Sequence, residues 1–541
     1  MSDRKSSLED QSTYSKCKRL LSEEEYKEAL SLANGISTPA FRATILIDGG
    51  FGVRKASPIR EGIQLLENVL EDETSPPSYS RASLLYNIAN GYYALFMLRR
   101  LKGRKTLVPP NDDDLRVAKS RYRDALSELG NEPSSFRTQL WVNYGNCLSQ
   151  FGRGIEAIQC YKNALKEDPQ NGMASGNLGI ELRHVARITG RYRHDYALEA
   201  HSALSAALGP QMHLEYGGLD ARRAFQRAKA ELDAFIDAHG GKLTPSKPIG
   251  LSSRRVLTGR YIRFCQANSL FLNAWVGDQD RSPALTDEIF FGPITTPYSD
   301  NETVPELLRI LNEIKESYTA ARYLYFVSQE KSPVLDDLSA LTSYFHADTM
   351  KDLNGLYFGI LKSSYARAFD VLDKVARIIN VYFGIGKRKD SFWNVLAVRQ
   401  SRGQTCEIRF IARPQVVSTN NYGLYALADV CTDYFESHHV DFKTIDEVRN
   451  WITHDFLSIL PDGEVANSPM EVPYSEFKQQ TVNVLRLAKY AILYAVSAIN
   501  IGEAQKPEAG RVQVVEYTYS AGLPGEIVSE RPNAQQRAAG A

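Results

Sequence analysis

From residue 304 onward the chain consists of long stretches whose apolar residues recur at three and four spacing. These are VPELLRILNEIKESYTAARYLYFVSQ, LKSSYARAFDVLDKVARIINVYFGI, NYGLYALADVCTDYFES, KTIDEVRNWITHDFLSIL and YSEFKQQTVNVLRLAKYAILYAVSAINI. That period lays one apolar stripe along each helix, so the region is predicted to be an α-helical bundle. TCEIRFIARPQVV and RVQVVEYTYSAG are the only segments that read as strands. Between about 209 and 300 the pattern is broken by the turn-rich pieces GPQMHLEYGG, AHGGKLTPSKPIG and FFGPITTPYSDNE, which predict a partly structured connector. The C-terminal RPNAQQRAAGA is predicted to be disordered.

The first half repeats itself. TQLWVNYGNCLSQFGRGIEAIQCYKNALKEDPQN, 138 to 171, carries Trp141, Tyr144, Gly145 and Leu148, then Ala157, Tyr161, Ala164 and Pro169. This spacing is that of a tetratricopeptide (TPR) repeat, a pair of antiparallel helices about 34 residues long whose small residues permit close packing and whose proline ends the unit. One unit cannot bury its apolar face alone, so neighbours are required. Upstream, Leu85, Ile88, Ala89 and Tyr92 suit a first helix, and Ala118, Tyr122 and Ala125 suit a second after an insertion containing VPPNDDD. Downstream, Leu178, Gly179 and Leu182 fall 34 residues after Tyr144, Gly145 and Leu148, with Ala200, Leu204 and Ala207 beyond them. EEEYKEALSLA and REGIQLLENVL extend the array towards the N-terminus, giving four to five degenerate units. The expected organisation is a repeat array over 1–215, a connector over 216–300, a helical bundle over 301–505 and a tail over 506–541. The fold class is all-α with minor β elements.

Composition narrows the chemistry. The chain has 541 residues, enough for several cores, with 43% apolar and 24% charged residues. Lys plus Arg and Asp plus Glu are both 64, so an anionic partner must be met by a local patch rather than by the net charge. Cys17, Cys147, Cys160, Cys265, Cys406 and Cys431 are scattered without a CxxC pair, which reads as reduced core thiols. The polar N-terminus and the lack of an uninterrupted apolar run of spanning length predict no membrane association and a cytoplasmic protein. No GxxxxGK[ST], HExxH, GxSxG or GxGxxG stands in a supporting context, so nucleotide hydrolysis, zinc peptidase and serine hydrolase chemistry have no residues to rest on. His438 and His439 with Asp441 read as loop residues rather than metal ligands, since adjacent histidines point apart. No cofactor and no metal are expected.

One short motif carries chemistry: EVRNWITHDF, 447 to 456, sets Arg449, Asn450 and His454 in the pattern R-N-x3-H. A looser match at Arg187 and His194 lies inside the array, with Ile188 where a polar residue should follow the arginine, and is set aside as a decoy. A C-terminal helical bundle containing R-N-x3-H resembles the HEPN superfamily, whose ribonucleases carry an R-polar-x3-5-H signature. The order of LLRILNEIKESYTAARYLYF, LDKVARIINVYFGIG, NYGLYALADVCTDYF and LRLAKYAILYAVSAI resembles the branch that places this domain behind tetratricopeptide repeats, as does RYIRFCQANSLFLN at 260 to 273. The resemblance implies a metal-independent endoribonuclease, a toxin-like or antiviral effector leaving 2′,3′-cyclic phosphate ends. It further implies a homodimer through the HEPN domain, with the repeats docking a protein or peptide.

The residue chemistry suits that reading. RNA is cleaved without a metal when its own 2′-hydroxyl attacks the adjacent phosphate, which needs a proton carrier and a cation on the phosphate. An imidazole titrates near neutrality and can act as acid or base, and His454 supplies one. The guanidinium of Arg449 stays charged and grips phosphate oxygens through paired hydrogen bonds, and Asn450 can orient either partner. Five residues on a regular helix advance about 500°, leaving Arg449 and His454 about 140° apart. Either the helix begins or distorts within the motif, or two chains line a common cleft; the resemblance favours the second. Asp373 and Lys374 could support the site from another helix. The alternatives are a non-catalytic interaction scaffold, in which Arg449 with Glu447 or Asp446 is a solvated helix charge and His454 a cap, or the regulatory subunit of a toxin–antitoxin pair.

Overall fold

The computed structural model describes residues 2–72, 80–103, 109–130, 132–188, 193–213, 218–245, 256–274, 285–287, 289–297, 302–345, 350–386, 391–402, 407–436, 440–506 and 512–515. The N-terminal half is a run of helices: α1 (Ser2–Ser22), α2 (Tyr26–Ala33), α3 (Pro39–Gly52), α4 (Ala56–Glu71), α5 (Arg81–Leu101), α6 (Asp113–Ser127), α7 (Ser134–Gln150), α8 (Gly154–Glu167), α9 (Gly172–Ile188), α10 (Arg193–Ala207) and α11 (Gly218–Ala238). They pack as successive hairpins, α3 on α4, α5 on α6, α7 on α8 and α9 on α10, and each hairpin stacks on the next.

The repeat residues account for this. A Cβ on Gly145 would lie 2.7 Å from the Tyr161 ring, so only glycine lets α7 and α8 approach this closely. The Tyr161 hydroxyl donates to Asn146 Oδ1 (3.0 Å), which also accepts from Asn177 Nδ2 of the next hairpin (2.8 Å). One repeat earlier, Tyr122 and Asn143 both donate to Asn90 Oδ1 (2.7 and 3.1 Å). In the inserted loop, Pro109–Asn111 forms one 3-10 turn and Asp112 caps α6 by accepting from Leu115 N at 3.0 Å.

The second half contains α12 (Val256–Ala267), β1 (Ile294–Pro297), α13 (Thr303–Gln329), α14 (Pro333–Ala340), α15 (Leu356–Phe383), α16 (Phe392–Leu396), β2 (Ala397–Arg402), β3 (Glu407–Ala412), α17 (Pro414–Ser418), α18 (Tyr422–Glu436), α19 (Val440–His454), β4 (Ser458–Leu460), β5 (Glu471–Pro473), α20 (Tyr474–Ala504) and β6 (Val512–Val515). Helices α13, α15 and α20 form the bundle, with α18 and α19 packed on its side. The strands pair two by two: β1 with β6 and β2 with β3 antiparallel, β4 with β5 parallel. Of the six strands among the described residues, β3 and β6 fall in the segments that read as strands. The end of KTIDEVRNWITHDFLSIL departs from the expected helix: the helix stops at His454 and Ser458–Leu460 pairs with Glu471–Pro473. Pro461 disfavours helical backbone at Leu460, and burial of Leu457, Ile459 and Leu460 favours the strand.

A single apolar core runs from the array into the bundle, taking in Leu148, Tyr161 and Leu204 of the repeats and Ile379, Leu427 and Ile492 of the bundle. The segment after α12 joins the same core through Leu270, Leu272 and Ala274. Its backbone is held by basic side chains of the bundle: Arg486 Nε donates to the Asn268 carbonyl (3.1 Å), Lys489 Nζ to that of Ser269 (2.9 Å) and Arg322 Nη1 to that of Leu270 (2.9 Å). Among the described residues α20 alone is long and apolar enough by length and composition to cross a bilayer, and 72% of its most apolar window is buried inside the protein. Its apolarity follows from its place in the bundle, since a helix surrounded by others is apolar on all faces.

Candidate active site

Helix α19 lies against α15, α18 and α20, and Val448 inserts into the core. That insertion fixes which face of α19 turns inward. Arg449, the next residue, is half-buried against α15. Its guanidinium lies over the Phe369 ring, 5.5 Å from the centroid, and faces Asp370 Oδ1 at 3.7 Å. Its Nη1 donates to Asn450 Oδ1 at 3.1 Å, while its Nε is buried without a hydrogen-bond partner. Because the amide oxygen of Asn450 faces the guanidinium, its Nδ2 is left to donate elsewhere.

Arg449 and Asn450 are therefore brought together, and His454 is not. The helix is unbroken from Val440 to His454, so it neither begins nor distorts within the motif. The separation of about 140° between Arg449 and His454 stands. His454 is the last helical residue and is exposed, beside Phe456, which is also exposed.

Asp373 and Lys374 do other work. Asp373 Oδ1 accepts from Phe392 N at 3.2 Å, fixing the start of α16, and Lys374 reaches Glu313 and Ser317 on α13. The residues of α15 that touch the motif are Phe369 and Asp370, one turn earlier. The sequence signal for them is spacing: Asp370 and Asp373 are three apart, near neighbours on one helix side. In the decoy, Arg187 pairs with Glu231 at 3.6 Å and His194 packs on Phe235 and His239. His438, His439 and Cys406 lie outside the described residues; the other five cysteines are buried free thiols. Burial pushes Cys265 up to about 11.

Chemically, the motif offers a guanidinium and an amide that can bind one phosphate, and an imidazole free to carry a proton on a different side of the same helix. Residues 298–502, containing all of it, match the family described as LA2681-like HEPN. The C-terminal bundle is an HEPN domain. It follows a tetratricopeptide array, so the chain is an all-α protein of two helical parts. The crystal structure of a thermophilic TPR protein of Thermus thermophilus is similar at 17% identity, over 40% of this chain and 98% of its own length, with a TM-score of 0.29. No curated protein matches the chain.

Proposed function

We propose that the HEPN domain is a metal-independent endoribonuclease, that Arg449, Asn450 and His454 carry its chemistry, and that the chain acts as a defence or toxin-like effector in the cytoplasm whose repeats dock a protein or peptide trigger. The association of HEPN domains with ribonucleases supports the reaction class. The observation that carries the assignment is the held guanidinium of Arg449, with a buried, unpartnered Nε and an adjacent amide donor. Such a group can donate paired hydrogen bonds to phosphate oxygens once the loosely held Asp370 carboxylate gives way.

In this reading Arg449 and Asn450 bind the scissile phosphate and stabilise the charge that builds as the 2′-hydroxyl attacks. A histidine takes the hydroxyl proton or returns a proton to the 5′-oxygen leaving group. Because Arg449 and His454 diverge on one helix, the complete site takes Arg449 from one chain and the partner's His454, which makes the enzyme an obligate homodimer.

Two measurements test this. With purified full-length protein, His454→Ala abolishes turnover while leaving RNA binding intact, whereas Arg449→Ala weakens both. Mixing the two inactive variants then restores about a quarter of wild-type activity, since about half of the dimers are mixed and each mixed dimer holds one intact site. Mixtures as inactive as their components contradict the shared site.

A further inference from the structure

A buried cluster of charges joins the array to the helix that precedes the motif. Asp429 and Asp433 stand one turn apart on α18. Lys119 Nζ of α6 lies 2.6 Å from Asp429 Oδ1 and 2.7 Å from Asp433 Oδ1. Arg153 Nη1, from the turn between α7 and α8, lies 2.9 Å from Asp429 Oδ2 and 2.5 Å from Asp433 Oδ2. Each carboxylate is thus bound by both cations, and each cation by both carboxylates. Arg153 is oriented in turn by Glu156, whose Oε2 accepts from the Tyr494 hydroxyl of α20 at 2.8 Å.

Two further contacts hold the same seam. Ala412 N donates to Asn111 Oδ1 at 2.7 Å, so an array side chain caps β3. Gly152 has φ +81°, and a Cβ there would strike the Tyr422 carbonyl at the start of α18, so the α7–α8 turn lies directly against the helix end. The array therefore meets α18 at its first residue, again midway along it at Asp429, and in its last turn at Asp433. Only residues 437–439 separate α18 from α19.

Resting on the ribonuclease reading, we propose that Lys119 and Arg153 are positioning residues for the reaction: by fixing Asp429 and Asp433 they set the place of α18, and through it that of α19 with Arg449 and His454. Neither residue touches the motif. A shift of α6 relative to the α7–α8 turn, such as a ligand on the repeats would produce, must either carry α18 with it or open the cluster. The cluster is thus the charged link through which the array positions the motif helix.

The test is hydrogen–deuterium exchange and steady-state RNA cleavage on full-length Lys119→Met and Lys119→Arg. In Lys119→Met, exchange rises about tenfold or more at the end of α18 and across α19 but not in α13, α15 or α20. There kcat falls about 10- to 100-fold, as an ångström-scale misplacement of reacting groups produces, with KM within about twofold; Lys119→Arg restores both. Should Lys119→Met not fold, Asp433→Asn keeps Asp429 for both cations and gives the same pattern at smaller amplitude. Unchanged exchange in α19, exchange raised evenly throughout the bundle, or full cleavage despite a loosened α19 each overturn the proposal. If the wild type cleaves no RNA, the ribonuclease reading fails, while the exchange pattern still decides whether the array positions the helix.

Discussion

The Arg449 side chain is 25% exposed, shielded enough to be held by the Phe369 ring and open enough to meet a ligand. Its pairing with Asp370 is loose at 3.7 Å, and Asp370 is half exposed, so the pair contributes about 1 kcal/mol or less. A phosphate arriving at the guanidinium must displace that carboxylate. Asp370→Asn is therefore expected to tighten RNA binding about two- to fivefold, the equivalent of such a weak pair, with little change in melting temperature; weaker binding would mean that Asp370 orients the arginine rather than competing for it. The candidate motif stands out in the sequence because arginine, asparagine and histidine advertise their chemistry by type. Its partners on α15 do not: Asp373 and Lys374 are charged just as Asp370 is, and only the rotation of α15 decides which of them meets α19.

Among the elements, α7 and α8 were readable because each position of the repeat has one physical job. Gly145 admits the Tyr161 ring, so Gly145→Ala is expected to destabilise the protein by about 1–3 kcal/mol through overcrowding of a packed interface, measured by denaturant unfolding. The short strands were opaque. β1, β2, β4 and β5 have no alternation long enough to register, and β4 was absorbed into the apparent helix around Trp451. The docking of Asn268–Leu270 under Arg486, Lys489 and Arg322 was likewise hidden, since backbone carbonyls leave no trace in a sequence. Burial pulls Lys489 down from 10.5 to about 7, only partly offset by Asp287. The unfolded chain thus holds one more proton than the folded one between these values, so stability rises with pH from about 7 towards 10.5. Lys489→Met is expected to remove that slope, up to about 1.4 kcal/mol per pH unit; a slope unchanged in the variant would assign it to other groups.

At the scale of the whole molecule, the two helical parts share one apolar core and a buried ring of charge, so the array is built into the HEPN domain rather than tethered to it. Removing one member of such a buried ring leaves its partners uncompensated and costs about 3–5 kcal/mol. Lys119 and Asp433 belong to segments that pointed separately to a repeat array and a helical bundle. Nothing in either pattern announced that they meet, because contacts between distant segments depend on how the helices are stacked. The cleavage chemistry is tested most directly on the RNA ends. Wild-type protein incubated with RNA in the presence of a metal chelator is expected to leave 2′,3′-cyclic phosphate and 5′-hydroxyl ends. The Arg449→Ala, His454→Ala double variant is expected to leave none. Cleavage by the double variant at the wild-type rate, or wild-type cleavage that stops when the chelator is added, would contradict the account.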